Sequence, residues 1–132
     1  MKYAYTIHYV PDVTATIEFY ERAFGFSRKF ITPENDYGEL LSGETIIAFA
    51  SLSLAQSNLK EGFQPLTTET QPIGVEMGFT TTEIESDFQR AIDAGATVYE
   101  PLQTKPWGQI VGYVRDHNGF LIEICTPMSG GG

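Results

Sequence analysis

Glu76 and Glu123 stand in stretches that are otherwise apolar and β-prone, Ile73 to Thr81 and Phe120 to Thr126. Glutamate is common on solvated sheet faces. Two carboxylates brought close together can do more: share a proton, attract a cationic ligand, or supply a general base. The other reactive side chains are fewer. His8 lies in an apolar stretch as a structural histidine would, and His117 falls in a turn-forming run, so the two do not readily complete a metal triad. Cys125 is the sole cysteine and reads as a small buried hydrophobe, with no base partner evident in the chain. Trp107, in Pro106-Trp107-Gly108, has the setting of an aromatic lip that can stack on a planar or cationic ligand, and Tyr5 and Tyr9 can line a wall. No glycine-rich phosphate loop is present.

The elements that must position these groups come in two similar sets. Lys2 to Val10 reads as a strand, broken by Pro11-Asp12. Val13, Ile17, Tyr20 and Phe24 then form one helical face, with Asp12 or Thr14 able to cap its start and Gly25 its end. Three strands follow, at Phe26–Ile31, Glu39–Leu41 and Thr45–Leu52. The order repeats after Pro72. Ile73–Thr81 is a strand, Thr82-Glu83-Ile84-Glu85 has the form of a capping box, and Ile84, Phe88, Ala91 and Ile92 make an apolar face that Gly95 ends. Thr97–Glu100, Gln109–Arg115 and Phe120–Thr126 supply three more strands, the last two joined by the Asp116-His117-Asn118-Gly119 turn. The result is a duplicated βαβββ module. Ser53 to Pro72 between the halves is polar, and is expected to be mobile or a lid, with Leu52, Leu54, Leu59 and Phe63 as possible anchors through a helical turn. The Gly-rich tail, 128–132, is expected to fray.

Alternation divides the first strand into Tyr3, Tyr5, Ile7 and Tyr9 on one face and Ala4, Thr6, His8 and Val10 on the other. By the same period Glu76, Gly78 and Thr80 share a face, and so do Leu121, Glu123 and Cys125. The opposite sets, Val75, Met77, Phe79 and Phe120, Ile122, Ile124, are apolar and suited to lie under helices.

Composition narrows the partners. The chain has 132 residues, 42% of them hydrophobic, with nine Phe, seven Tyr and one Trp, which is enough apolar material for a packed interior and argues against disorder. Its net charge of −9 contains no basic run, which argues against nucleic acid and favours cations or basic organic molecules. No apolar stretch approaches bilayer length and the N-terminus lacks a signal-peptide core, so a cytoplasmic location is expected, compatible with the lone cysteine.

Tyr9-Val10-Pro11-Asp12-Val13, Phe19 through Phe26, and Pro106-Trp107-Gly108 through Arg115-Asp116-His117-Asn118-Gly119-Phe120-Leu121-Ile122-Glu123 resemble the vicinal oxygen chelate superfamily of glyoxalases, bleomycin-resistance proteins and extradiol dioxygenases. The resemblance implies a single α+β domain over 1–132, with modules at about 1–52 and 73–127, a linker at 53–72 and a curved, cup-shaped mixed sheet around a cleft. It also implies a homodimer. Enzymes of the superfamily hold a divalent metal at positions that fall here on Tyr5, Ala48, Glu76 and Glu123. Half of that ligand set is missing, so no metal cofactor is expected; a weak site on Glu76 and Glu123 is the exception to test. The ligand-binding residues so implied are Tyr5, Ile7, Tyr9, Ala48, Glu76, Trp107, Tyr113 and Glu123. The expected function is metal-free sequestration of a basic or aromatic drug or metabolite. The alternative is a glyoxalase-like lyase or isomerase with Glu123 or Glu76 as general base, and Arg115 or Lys105 as an oxyanion stabiliser.

Overall fold

The computed structural model describes residues 1–128; most of the expected frayed tail, 129–132, lies outside the described residues. The chain divides into two compact units, with the boundary between Leu66 and Thr67. In the first, β1 (Thr6–Val10), α1 (Val13–Phe24), β2 (Ser27–Ile31), β3 (Tyr37–Ser42) and β4 (Thr45–Ser51) are followed by α2 (Leu52–Asn58). In the second, β5 (Glu76–Thr80), α3 (Ile84–Ala94), β6 (Thr97–Thr104), β7 (Ile110–Arg115) and β8 (Leu121–Cys125) repeat the βαβββ order. Each unit has one four-stranded mixed sheet, ordered β1-β4-β3-β2 and β5-β8-β7-β6, whose first pair is parallel and the others antiparallel. The fold is α+β.

The duplication extends to the register. Across the first sheet Ile7, Ala48, Glu39 and Phe30 form one row; across the second the matching row is Gly78, Glu123, Tyr113 and Glu100. Both sheets carry a bulge at the same point. Lys29 is the extra residue between Arg28 and Phe30, and Tyr99 the extra residue between Val98 and Glu100. α1 and α3 each also pack over a glycine of their sheet. A Cβ on Gly38 would lie 2.4 Å from Ile17 Cδ1, and one on Gly112 would lie 2.6 Å from Phe88 Cε1 and 2.8 Å from Leu102 Cδ2. Only glycine allows so close an approach of helix to strand. Gly112→Val is therefore expected to destabilise the protein by about 1–3 kcal/mol through overpacking, read as a lowered denaturant midpoint; an unchanged midpoint would show that Phe88 and Leu102 yield freely.

Caps follow local chemistry in α1. Asp12 Oδ1 accepts the Ala15 N–H at 3.0 Å, and Gly25 closes the helix with φ 74°. In α3 the expected capping box is one residue out of register, because the helix starts at Ile84 with Glu83 as cap residue and no side-chain cap. Thr81 does the work instead: its hydroxyl accepts the Glu83 N–H at 2.9 Å and donates to Asp87 Oδ2 at 2.6 Å. In the Asp116–Gly119 turn the positive φ falls on Gly119, at 101°, and Asp116 Oδ1 accepts the N–H groups of Asn118 and Phe120.

Strand limits depart from the local pattern where the pairing partner ends. β1 begins at Thr6 and β5 at Glu76, because their parallel neighbours pair only from Ile47 and Leu121 onward. Val75, expected under a helix, therefore precedes the ladder and is 61% exposed. β6 runs on to Thr104 through Pro101, which an edge strand tolerates. The polar segment after β4 opens with α2, which buries Ala55, and Phe63 sets its ring edge-on to Tyr9 at 4.8 Å.

Candidate functional site

The alternation along β5 and β8 sets the site in the second unit. Ile122 and Ile124 are buried on the helix side with Phe88, so Glu123 emerges on the helix-free face. Gly78 lies beside it in register, and a Cβ there would meet nothing within 4 Å, which leaves the sheet surface next to Glu123 open. Tyr113, opposite Glu123 on β7, donates its hydroxyl to Glu123 Oε1 at 3.0 Å. Glu76 lies two residues upstream of Gly78 on the same strand face, close enough for its carboxyl to feel that of Glu123.

The electrostatics follow from this crowding. Partial desolvation raises the Glu76 carboxyl above its ordinary range, and the neighbouring Glu123 carboxyl pushes it further the same way. Burial first, then the bond to Glu123, pushes the Tyr113 phenol up to about 12. Cys125, on the same face, is buried, donates its thiol to the Phe79 carbonyl at 3.8 Å, and is pushed up to about 11 by burial and by Glu123. At neutral pH the thiol is therefore protonated and a poor nucleophile. The cluster is a carboxyl pair with a phenol donor, able to hold a cation or to keep and release one proton.

The remaining candidates are distributed as follows. Trp107 is 58% exposed in the β6–β7 turn, and its Nε1–H donates to Gln109 Oε1, whose amide in turn donates to the Thr126 carbonyl. It thus stands at the end of the sheet where β8 finishes, whereas Glu76 pairs with the residue where β8 begins. In the first unit Tyr5 and Ile7 are exposed and Tyr9 half-buried, while Ala48 is fully covered between Ile7 and Glu39. His8 is buried on the other face, against Phe49 at 5.3 Å, with Nδ1–H donating to the Ala48 carbonyl at 3.1 Å. Arg115 is no oxyanion stabiliser. Its guanidinium is buried and donates to the carbonyls of Gly119, Thr70 and Thr67 at 3.0, 2.8 and 3.0 Å. Lys105 turns to Gln103 at 3.4 Å.

Sequence reasoning passed over Glu39. It is a charged residue within the apolar run of β3, the same signal that singled out Glu76 and Glu123, and it is only 7% exposed. Among the described residues no group of three or more His, Cys, Asp or Glu side chains is placed to hold a metal ion. Ala48 offers only a methyl group and the His8 imidazole is turned beneath the sheet, so the donors present do not fit the metal-ligand set that the resemblance implies. No helix among the described residues is long and apolar enough to cross a membrane.

Comparison with known proteins agrees with this architecture. The family model described as Glyoxalase/Bleomycin resistance protein/Dioxygenase superfamily matches residues 2–124. An uncharacterized protein of Mycobacterium bovis is 30% identical over 123 residues, which span 90% of this chain and 79% of that protein. A virulence protein of Salmonella typhimurium is 31% identical over 119 residues, spanning 87% of this chain and 76% of the other. Among solved structures, a glyoxalase-related enzyme from Fulvimarina pelagi superposes with a TM-score of 0.79 at 22% identity, over 96% of this chain and 88% of that one. At that identity the likeness is one of fold.

Proposed function

The chain belongs to the glyoxalase/bleomycin resistance protein/dioxygenase superfamily, and from that premise we propose that it is a small-molecule binding protein which holds a basic, partly planar drug or metabolite without a resident metal. The observation that carries this reading is the Glu123 carboxylate on an open sheet face, oriented by the Tyr113 hydroxyl and flanked by Glu76. A carboxyl pair of this kind attracts an amidinium or ammonium group, and a net charge of −9 adds long-range attraction. The Tyr113 ring, beside Glu123 in register, supplies aromatic surface for the planar part of such a ligand. The reading extends to a cytoplasmic homodimer that sequesters its ligand in a cleft, with 1–132 acting as one domain.

Isothermal titration with benzamidine and with its neutral counterpart benzamide tests the proposal. Benzamidine is expected to bind, with an affinity that falls as salt rises, and benzamide is not. Equal heats from both compounds, or none from either, would remove the carboxyl pair as the recognition element.

One observation also favours a second reading, a lyase or isomerase of glyoxalase type. A raised Glu76 beside Glu123 keeps a proton in the pair to higher pH than an isolated carboxyl would, which suits a pair that exchanges a proton next to a carbonyl.

A further inference from the structure

We propose that Arg115 is a positioning residue for the candidate site: by fastening residues 67–70 over the sheet of the second unit it holds the start of β5, and with it the Glu76 side chain, beside Glu123. The inference rests on the reading of Glu76 and Glu123 as one site, and adds to it the group that keeps them together.

Arg115 is a cation in an unusual place. It is 9% exposed at the end of β7, and its guanidinium donates to the carbonyls of Gly119, Thr70 and Thr67 at 3.0, 2.8 and 3.0 Å. Burying a guanidinium is costly, and an apolar side chain would fill the same space without that cost. What the rigid guanidinium fork adds is the power to hold several acceptors in fixed directions. The stretch it holds also lies tight against the turn, since a Cβ on Gly119 would come within 2.7 Å of the Thr67 carbonyl oxygen.

Register shows how far this fastening reaches. Arg115 lies two residues beyond Tyr113, so period two turns both to the helix-free face. It is opposite Leu121, and Leu121 is opposite Glu76, so the clamp and Glu76 stand in one row with β8 between them. Two strand spacings separate them by about 10 Å. Residues 71–75 cross that gap. Pro72 fixes its own φ, and the Val75 N–H donates to the Ile73 carbonyl at 2.8 Å in a three-residue turn on Gly74, which stiffens the crossing.

The start of β5 needs such an anchor. Glu76 is its first residue, and within its unit β5 is an edge strand paired with β8 alone. Strand ends at an edge fray unless they are tied down. Ile73 and Val75 are 52% and 61% exposed, and a Cβ on Gly74 would meet nothing within 4 Å, so the lead-in has little packing of its own. Among the described residues, the hydrogen bonds that tie 67–75 to the sheet are those that Arg115 donates.

NMR of the full chain at pH 7 tests the proposal, read as the effect of Glu76→Gln on the Tyr113 ring and Glu123 carboxyl signals. In the otherwise unaltered protein the substitution is expected to shift both. No shift would separate Glu76 from the pair and overturn the reading of the site together with this inference. The decisive background carries Gly-Gly inserted between Thr70 and Gln71, which leaves the Arg115 bonds in place and slackens the connection to Glu76. There the effect of Glu76→Gln is expected to be lost while Tm stays that of the parent; in an Arg115→Met background it is expected to be lost as Tm falls. If the effect persists in the insertion background, or is lost there together with a fall in Tm, Arg115 stabilises the unit without positioning Glu76. That result overturns the inference and leaves the site standing. The insertion decides the matter even if Arg115→Met does not fold.

Discussion

Arg115→Met is expected to destabilise the protein by about 3 kcal/mol, a fall in Tm on the order of 10 °C for a chain of this size. The Arg115 guanidinium is buried and each of its nitrogens donates to a backbone carbonyl, those of Gly119, Thr70 and Thr67. Hydrogen bonds to a charged group contribute roughly 1.5–3 kcal/mol each, and part of that sum is offset because methionine no longer requires a charge to be buried. The three carbonyls belong to two segments distant in sequence, the β7–β8 turn and residues 67–70, so the side chain acts as a clamp between them. Arg115→Lys should recover only a minor part, since one ammonium on a flexible stem cannot span three carbonyls. Thermal unfolding followed by circular dichroism checks both variants. Full recovery with lysine would mean that the positive charge matters and the three-way geometry does not.

Glu123→Gln is expected to weaken benzamidine binding at least tenfold, since a lost charge-assisted contact of about 1.5–3 kcal/mol corresponds to that range or more. In the lyase or isomerase reading the same substitution abolishes turnover, because glutamine cannot accept the proton; binding measured on its own and turnover measured on its own therefore separate the two functions. The pH dependence is determined by Glu76. Its carboxyl is raised by burial and by Glu123, so the pair loses a negative charge as pH falls through a value above the ordinary carboxylate range, and benzamidine affinity should drop there. Stability runs the other way. A carboxyl whose pKa is higher in the folded than in the unfolded chain favours folding at low pH, and that contribution is lost as pH rises through the folded value. Glu76→Gln should accordingly raise Tm at pH 7, with the difference closing near about pH 4. A variant that is less stable at pH 7 would show that the Glu76 carboxylate is held by favourable contacts instead of strained by its neighbour.

The helix and strand periodicities of this chain are local, and what depends on them was readable without a structure. The duplicated βαβββ order, the cap at Asp12, the stop at Gly25, and the placing of Glu123 and His8 on opposite kinds of face all follow from periods of 3.6 and 2 along single segments. What the pairing partner decides was not readable. β1 and β5 begin only where their pairing with β4 and β8 begins, which leaves Val75 exposed ahead of the ladder, and α3 takes its cap one residue away from the apparent box. The parity of Glu123 was legible, but its bond to Tyr113 depends on the β7–β8 register, and the bulge that brings Lys29 and Phe30 to Glu39 depends on the β2–β3 register. Arg115 carries no mark in its own neighbourhood of the carbonyls at Thr67 and Thr70 that it ties down. Sequence thus determined which residues face away from the helices. Tertiary structure decided which of them meet, because register and long-range hydrogen bonds join segments whose contact no local pattern encodes.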